Sequence, residues 1–330
     1  MNRKSIVLLI IVMMMLWPIL RNGSGAAQEI RQDKVGLKPP EAAGVALFMR
    51  KVKPSDTGTE IGQPNDAHQV YLKPGADNGL LFLFLPGTGQ KPDEFTRLLA
   101  EAAAAGYHVI GLDYRELPEV AQLCNGQPDC FEPARAEAFD GQGESPLVTI
   151  GPHNCILHRL VKLLESLDQQ YANEHWGQFL QNGKPVWSKI TVAGHSQGGG
   201  HAAFIAKRFV VHRVVMFSSV GDATGGHPWV SAPWLTTHVT PSDKYFGFTN
   251  THDAAFFPRC EVNWTTLGLP GNLKQVDGSN PPYGSSHQLE SSLPMPSGVS
   301  AHNGTAKDGT PLTPGGTPVY EAVWRYLLGP

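Results

Sequence analysis

Apolar residues fall along the chain in two rhythms. One is the short uninterrupted run. Leu80 to Leu85, YHVIGLDY (107–114), SKITVAG (188–194), HRVVMFSS (212–219) and YFGFTNT (245–251) carry apolar residues at near-successive positions, as strands buried on both faces do. VALFMRKV (45–52) and HQVYLKP (68–74) read as two earlier strands, and NLKQVDG (272–278) as a last one. The other rhythm is helical. The stretch 93–106 sets Phe95, Leu98, Leu99 and Ala102 on one face, and 154–171 aligns Ile156, Leu157, Leu160, Leu163, Leu164 and Leu167. A helix to Val210 follows the 188–194 strand, and PVYEAVWRYLLG (318–329) forms a terminal helix.

Strands alternate with helices from residue 79 onward. That order predicts an α/β fold: a doubly wound, mostly parallel central sheet with helices on both faces. Residues 115–153 and 278–316 read as irregular and are the expected walls of a pocket. One domain is expected over 44–330.

The first residues change the picture of where the chain works. A basic start at Arg3 and Lys4, an apolar run from Ile6 to Leu20, and the small residues Gly25, Ala26 and Ala27 have the layout of a secretory signal over 1–27. An uncleaved membrane anchor is the alternative; the run is short for a span of about 20 apolar residues. Residues 28–43 read as a flexible lead-in. The expected location is secreted or periplasmic.

With 330 residues, 41% of them hydrophobic, the chain can bury a large core. A formal net charge of −3 with no basic block argues against nucleic acid as a partner. Four cysteines suit an oxidising compartment. Cys124 and Cys130 bracket the turn-forming loop CNGQPDC, and Cys155 with Cys260 is a candidate second bridge; three pairings are open. Neither C-x-x-C nor H-E-x-x-H spacing occurs, so no metal is expected.

The chemistry concentrates at ITVAGHSQGGGH (190–201). Gly194-His195-Ser196-Gln197-Gly198 fits G-x-S-x-G between a buried strand and a helix, a nucleophile elbow. Each glycine inside a helix costs about 1 kcal/mol relative to alanine, so a turn this glycine-rich implies a steric need. The helix start also aims free N–H groups at the serine.

On AGHSQGGG and FLFLPGTGQ, the chain resembles the α/β-hydrolase superfamily, in its secreted serine esterase and lipase-like branches, over about residues 79–329. The resemblance implies a Ser-acid-His order along the chain, with Ser196 as nucleophile. Asp253, at the end of YFGFTNTHD, is the first choice of acid, with Asp222 as alternative. His287 is the first choice of base, with His302 as alternative. The backbone N–H groups of Thr88 and Gln197 are the expected oxyanion hole, although Pro86 stands where such loops often carry histidine. Asp113 precedes the serine and so falls outside the triad order. The implied reaction is cleavage of a small-molecule or polymeric carboxylic ester through an acyl-enzyme, without a cofactor. A serine peptidase or acyltransferase, or a non-catalytic binding protein on the same scaffold, are the alternatives.

Overall fold

The computed structural model describes residues 47–226 and 228–329. The expected signal segment and lead-in lie outside them. Nine strands form the main sheet: β1 (Phe48–Val52), β2 (His68–Leu72), β3 (Leu81–Leu85), β4 (His108–Gly111), β5 (Ile190–His195), β6 (Arg213–Phe217), β7 (Tyr245–Asn250), β8 (Lys274–Gln275) and β9 (Gln288–Ser291). Their order across the sheet is β1-β2-β4-β3-β5-β6-β7-β9-β8. The β1–β2 and β2–β4 pairs are antiparallel, and all later neighbours are parallel. The doubly wound, mostly parallel sheet of the sequence reading is therefore present.

Strand alternation divides the core. Leu81, Leu83 and Leu85 face one apolar cluster, while Phe82 and Phe84 face another, because successive side chains on a strand point to opposite faces. The helices α1 (Thr96–Ala104) and α6 (Glu321–Leu328) cover the phenylalanine side. The leucine side is covered by α2 (Phe131–Asp140), α3 (Ile156–Gln170), α4 (Gln197–Arg208) and α5 (Phe257–Leu267). Burying each such leucine or phenylalanine stabilises the fold by about 1.5–3 kcal/mol before conformational entropy is set against it. Among the described residues no helix is long and apolar enough to cross a membrane.

Three features depart from expectation. The segment 115–153 is not wholly irregular: it contains α2, whose inner face, Phe131, Ala134, Ala138 and Phe139, is half alanine and interleaved with charged residues, so it announces itself weakly. Helix α5 was also hidden, since FPRCEVNWTTL mixes polar and apolar residues around the axis. The second disulfide is absent. Cys124 and Cys130 are bridged, whereas Cys155 and Cys260 are free and buried. Cys155 instead caps α3, its sulfur accepting from His158 N at 3.4 Å, and burial pushes both free thiols up from their ordinary range.

Candidate active site

The site lies where β3, β5, β6 and β7 end. Ser196 sits between β5 and α4 with φ 53° and ψ −121°, a conformation that costs a non-glycine residue of order 1–3 kcal/mol. The surroundings hold it there. Ser196 N donates to Phe217 O on β6 at 2.9 Å, and Ser219 Oγ donates to Ser196 O at 2.8 Å. The glycines are required by close approach. A Cβ on Gly194 would strike the backbone of Gly198, and one on Gly198 would strike the carbonyl of Leu85 at the end of β3. Turn, helix and neighbouring strand pack with no room for a methyl group.

Asp253 follows β7 and is buried. Its Oδ2 lies 2.6 Å from His302 Nδ1, so that ring nitrogen carries a proton for the carboxylate and Nε2 is left as the basic one. The His302 carbonyl is fixed as well. It accepts from His195 Nε2 at 2.7 Å and from Ser218 Oγ at 2.8 Å. His195 directly precedes Ser196, so the His302 loop is fastened one residue from the serine. The rings of His195 and His302 are 4.8 Å apart, and Phe256 packs 4.3 Å from His302 while also lining the cleft that contains Ser196. Burial keeps the His195 imidazole well below its ordinary range, reinforced by His302.

The structure does not bring His287 to this edge. His287 stands immediately before β9, at the start of a parallel strand and hence at the opposite edge of the sheet. Its Nδ1 is 3.0 Å from Tyr245 O, and its ring stacks on Phe246 at 3.8 Å. The sequence reading took 272–278 as the last strand and His287 as part of the loop after it. In fact a further strand begins at residue 288, and the loop that follows β9 carries His302. The strand QLES shows one apolar residue, Leu289, and gave no signal of its own.

Asp222 is also engaged elsewhere. Fully buried, it accepts from Arg135 Nη2 at 2.6 Å and Nε at 3.0 Å, and from Trp234 Nε1 at 3.0 Å. Arg135 in turn donates to Gln197 O at 2.9 Å. Asp113, set aside on chain order, is buried against Arg159 at 3.1 Å, and burial pushes its carboxyl up to about 7.

The two expected oxyanion donors flank the serine. A side chain on Gly87 would come within 3.0 Å of Ser196 Cβ, which places Thr88, the next residue, at the elbow. Among the described residues no acceptor takes the backbone N–H of Thr88 or Gln197, and Thr88 Oγ1 is buried without a partner. Gln197 is held by its side chain, which accepts from Val120 N at 2.7 Å and donates to Glu116 O. Gln90, which the sequence reading passed over, ties the site together. Its Oε1 accepts from Gly87 N at 2.8 Å and lies 2.9 Å from His195 Nδ1, while its Nε2 donates to Asn303 Oδ1 at 3.0 Å. Tyr114 Oη supports the same loop through Pro86 O at 2.7 Å.

Comparison with protein families places this arrangement. A family model described as the alpha/beta hydrolase family matches residues 82–305, more than half of the chain. The chain belongs to the alpha/beta hydrolase family. A search of curated proteins found no match. The alpha/beta hydrolase assignment covers β3 through the His302 loop, so the elbow, Asp253 and His302 all fall within the matched region. Within this alpha/beta hydrolase the cleft at Ser196 is narrow. About 10 Å³ of cavity lies between Glu119, Ala121, Arg135, Gln197, Gly221 and Phe256.

Proposed function

We propose that the protein is an exported serine hydrolase that cleaves carboxylic esters through Ser196, His302 and Asp253. The reading rests above all on the 2.6 Å contact between His302 Nδ1 and Asp253 Oδ2 in a loop latched to His195, beside a serine in a strained elbow. A serine hydroxyl is a weak nucleophile at neutral pH and needs a base within reach. In this mechanism His302 Nε2 takes the Ser196 proton as Oγ attacks the ester carbonyl. Asp253 orients the imidazole and stabilises its cationic form. The N–H groups of Thr88 and Gln197 hold the tetrahedral oxyanion, each worth about 100- to 1000-fold in rate. The imidazolium gives its proton to the departing alcohol, and His302 then activates water to hydrolyse the acyl-enzyme.

The narrow cleft favours short or medium acyl groups over long lipid chains. Export is supported by the basic-then-apolar start of the chain and by the Cys124–Cys130 bridge, which suits an oxidising compartment.

The test is a fluorophosphonate label combined with p-nitrophenyl butyrate turnover. The wild-type chain is expected to label stoichiometrically and to hydrolyse the ester. Ser196→Ala should lose both, with kcat down about 10⁴-fold or more. Equal labelling of the variant, or no turnover of any ester by a folded wild-type chain, overturns the reading.

A further inference from the structure

Glu60, His153 and His158 converge on the surface, and none of them contacts the Ser196, Asp253 or His302 side chains. One donor atom from each, two imidazole nitrogens and a carboxylate oxygen, lies within 4.8 Å of the others. His158, in the first turn of α3, has its Nε2 2.9 Å from Glu60 Oε1. His153 stands in the turn before that helix, its ring 5.4 Å from that of His158 and nearly perpendicular to it at 81°. A surface histidine–glutamate contact needs only two of these groups. The third donor is what makes the cluster chelating.

The three segments are already fastened to one another. Asn154, next to His153, accepts from Gly62 N at 2.8 Å, close to Glu60. Arg159, next to His158 and fully buried, donates to Gly62 O at 3.2 Å, Pro64 O at 2.9 Å and Asn154 O at 3.1 Å. Its remaining nitrogen is anchored on Asp113 Oδ2 at 3.1 Å. A buried guanidinium thus pins the loop bearing Glu60, the turn bearing His153 and the helix bearing His158. A ligand that joins them need not first order them, and preorganisation of this kind removes much of the entropic cost of binding.

We propose that Glu60, His153 and His158 form a binding site for a divalent transition metal of the Zn²⁺ type. Two imidazoles with one carboxylate suit zinc, nickel or copper, whereas calcium and magnesium require oxygen ligands. Zinc accepts such donors at about 2.0–2.2 Å, with water completing a tetrahedral shell around three protein ligands. The ion would replace the Glu60–His158 hydrogen bond and staple the loop at 57–65 to the start of α3. The role is structural, and it is independent of Ser196.

The experiment uses the full chain, purified without a polyhistidine tag and stripped with EDTA. Equilibrium dialysis against micromolar Zn²⁺ should return about one equivalent of zinc, unaffected by a large excess of Mg²⁺. His153→Gln and His158→Gln should each weaken binding tenfold or more, whereas His287→Gln, at the other sheet edge, should bind as wild type. Co²⁺ added to the wild-type chain should develop a visible d–d band that Zn²⁺ abolishes, a readout that needs no variant. Absence of that band, uptake well below one equivalent, or His153→Gln and His158→Gln proteins that bind as wild type would each overturn the proposal.

Discussion

His195 Nε2 donates to the carbonyl of His302 at 2.7 Å across 107 residues of sequence. The residue before Ser196 thereby sets the position of His302, the residue proposed as its base. A carbonyl oxygen can only accept, so the tautomer that binds His302 is the one protonated on Nε2, while Nδ1 faces a second acceptor, Gln90 Oε1, at 2.9 Å. Replacing His195 with phenylalanine keeps an aromatic ring in the pocket but removes the donor. Loss of such a buried hydrogen bond costs about 1–3 kcal/mol. The expected outcome is a fall in kcat of about 10- to 100-fold for p-nitrophenyl butyrate with KM little changed, since the effect falls on the geometry of His302 and not on substrate contacts.

The two histidines separate cleanly under mutation. His302→Ala should lower kcat about 10⁴-fold or more and abolish fluorophosphonate labelling, as removal of a triad base does. His287→Ala removes a ring stacked on Phe246 at the far sheet edge. It should leave kcat within a few-fold of wild type. Parallel steady-state kinetics on the two purified variants decide the matter.

Arg135 and Asp222 form a buried pair whose members cannot be removed singly without cost. Arg135→Met strands the Asp222 carboxylate in the core, which costs about 3–5 kcal/mol. It also frees the Gln197 carbonyl. Urea denaturation followed by fluorescence should show the midpoint falling accordingly. Adding Asp222→Leu to that variant should recover part of the loss, because no charge is then left unpaired.

The Cys124–Cys130 bridge closes a loop of 6-residue separation. On the loop-entropy model it stabilises the fold by about 2 kcal/mol. The Cys124→Ala/Cys130→Ala protein should unfold at correspondingly lower urea, measured without reductant.

His68 supplies a pH signature. Its Nδ1 accepts from Asp113 N at 2.9 Å, and burial lowers its pKa from 6.5 to about 3. Between those values the unfolded chain binds a proton that the folded chain refuses, so this residue makes stability fall as pH drops from 6.5 towards 3. Asp113, raised to about 7, acts in the opposite sense, because its folded form keeps a proton that the unfolded form has lost. The difference between proteins isolates the histidine. His68→Asn keeps an acceptor for Asp113 N and should lose less stability on acidification than wild type, by up to about 1.4 kcal/mol per pH unit. Urea melts from pH 6.5 to 4 measure it.

Much of this was written plainly in the chain. Buried parallel strands announce themselves as apolar runs, and LFLFL and ITVAG are as continuous as any strand can be. The elbow was equally legible, because a serine between glycines after such a strand has few other uses. The His302 loop was not. Its strand, QLES, lies towards the edge of the sheet, where one buried face suffices, and Leu289 alone carries the apolar signal. With that strand invisible, His287 fell on the wrong side of it. Asp222 shows the complementary failure: it does follow a strand, but its partner Arg135 comes from a helix whose apolar face is half alanine and weakly marked in the sequence.

The Gln90 bridge has a kinetic corollary. Through one amide it joins Gly87 and His195 to Asn303, which lies 213 positions beyond Gln90 along the polymer. Long loops must close before contacts of this separation are rewarded. A chain in which this bridge has not closed would lack the fastening between the Gly87 turn and the loop that carries His302. On the proposed mechanism turnover should return only after these segments meet, so that recovered activity during refolding reports the closing of this edge and not collapse.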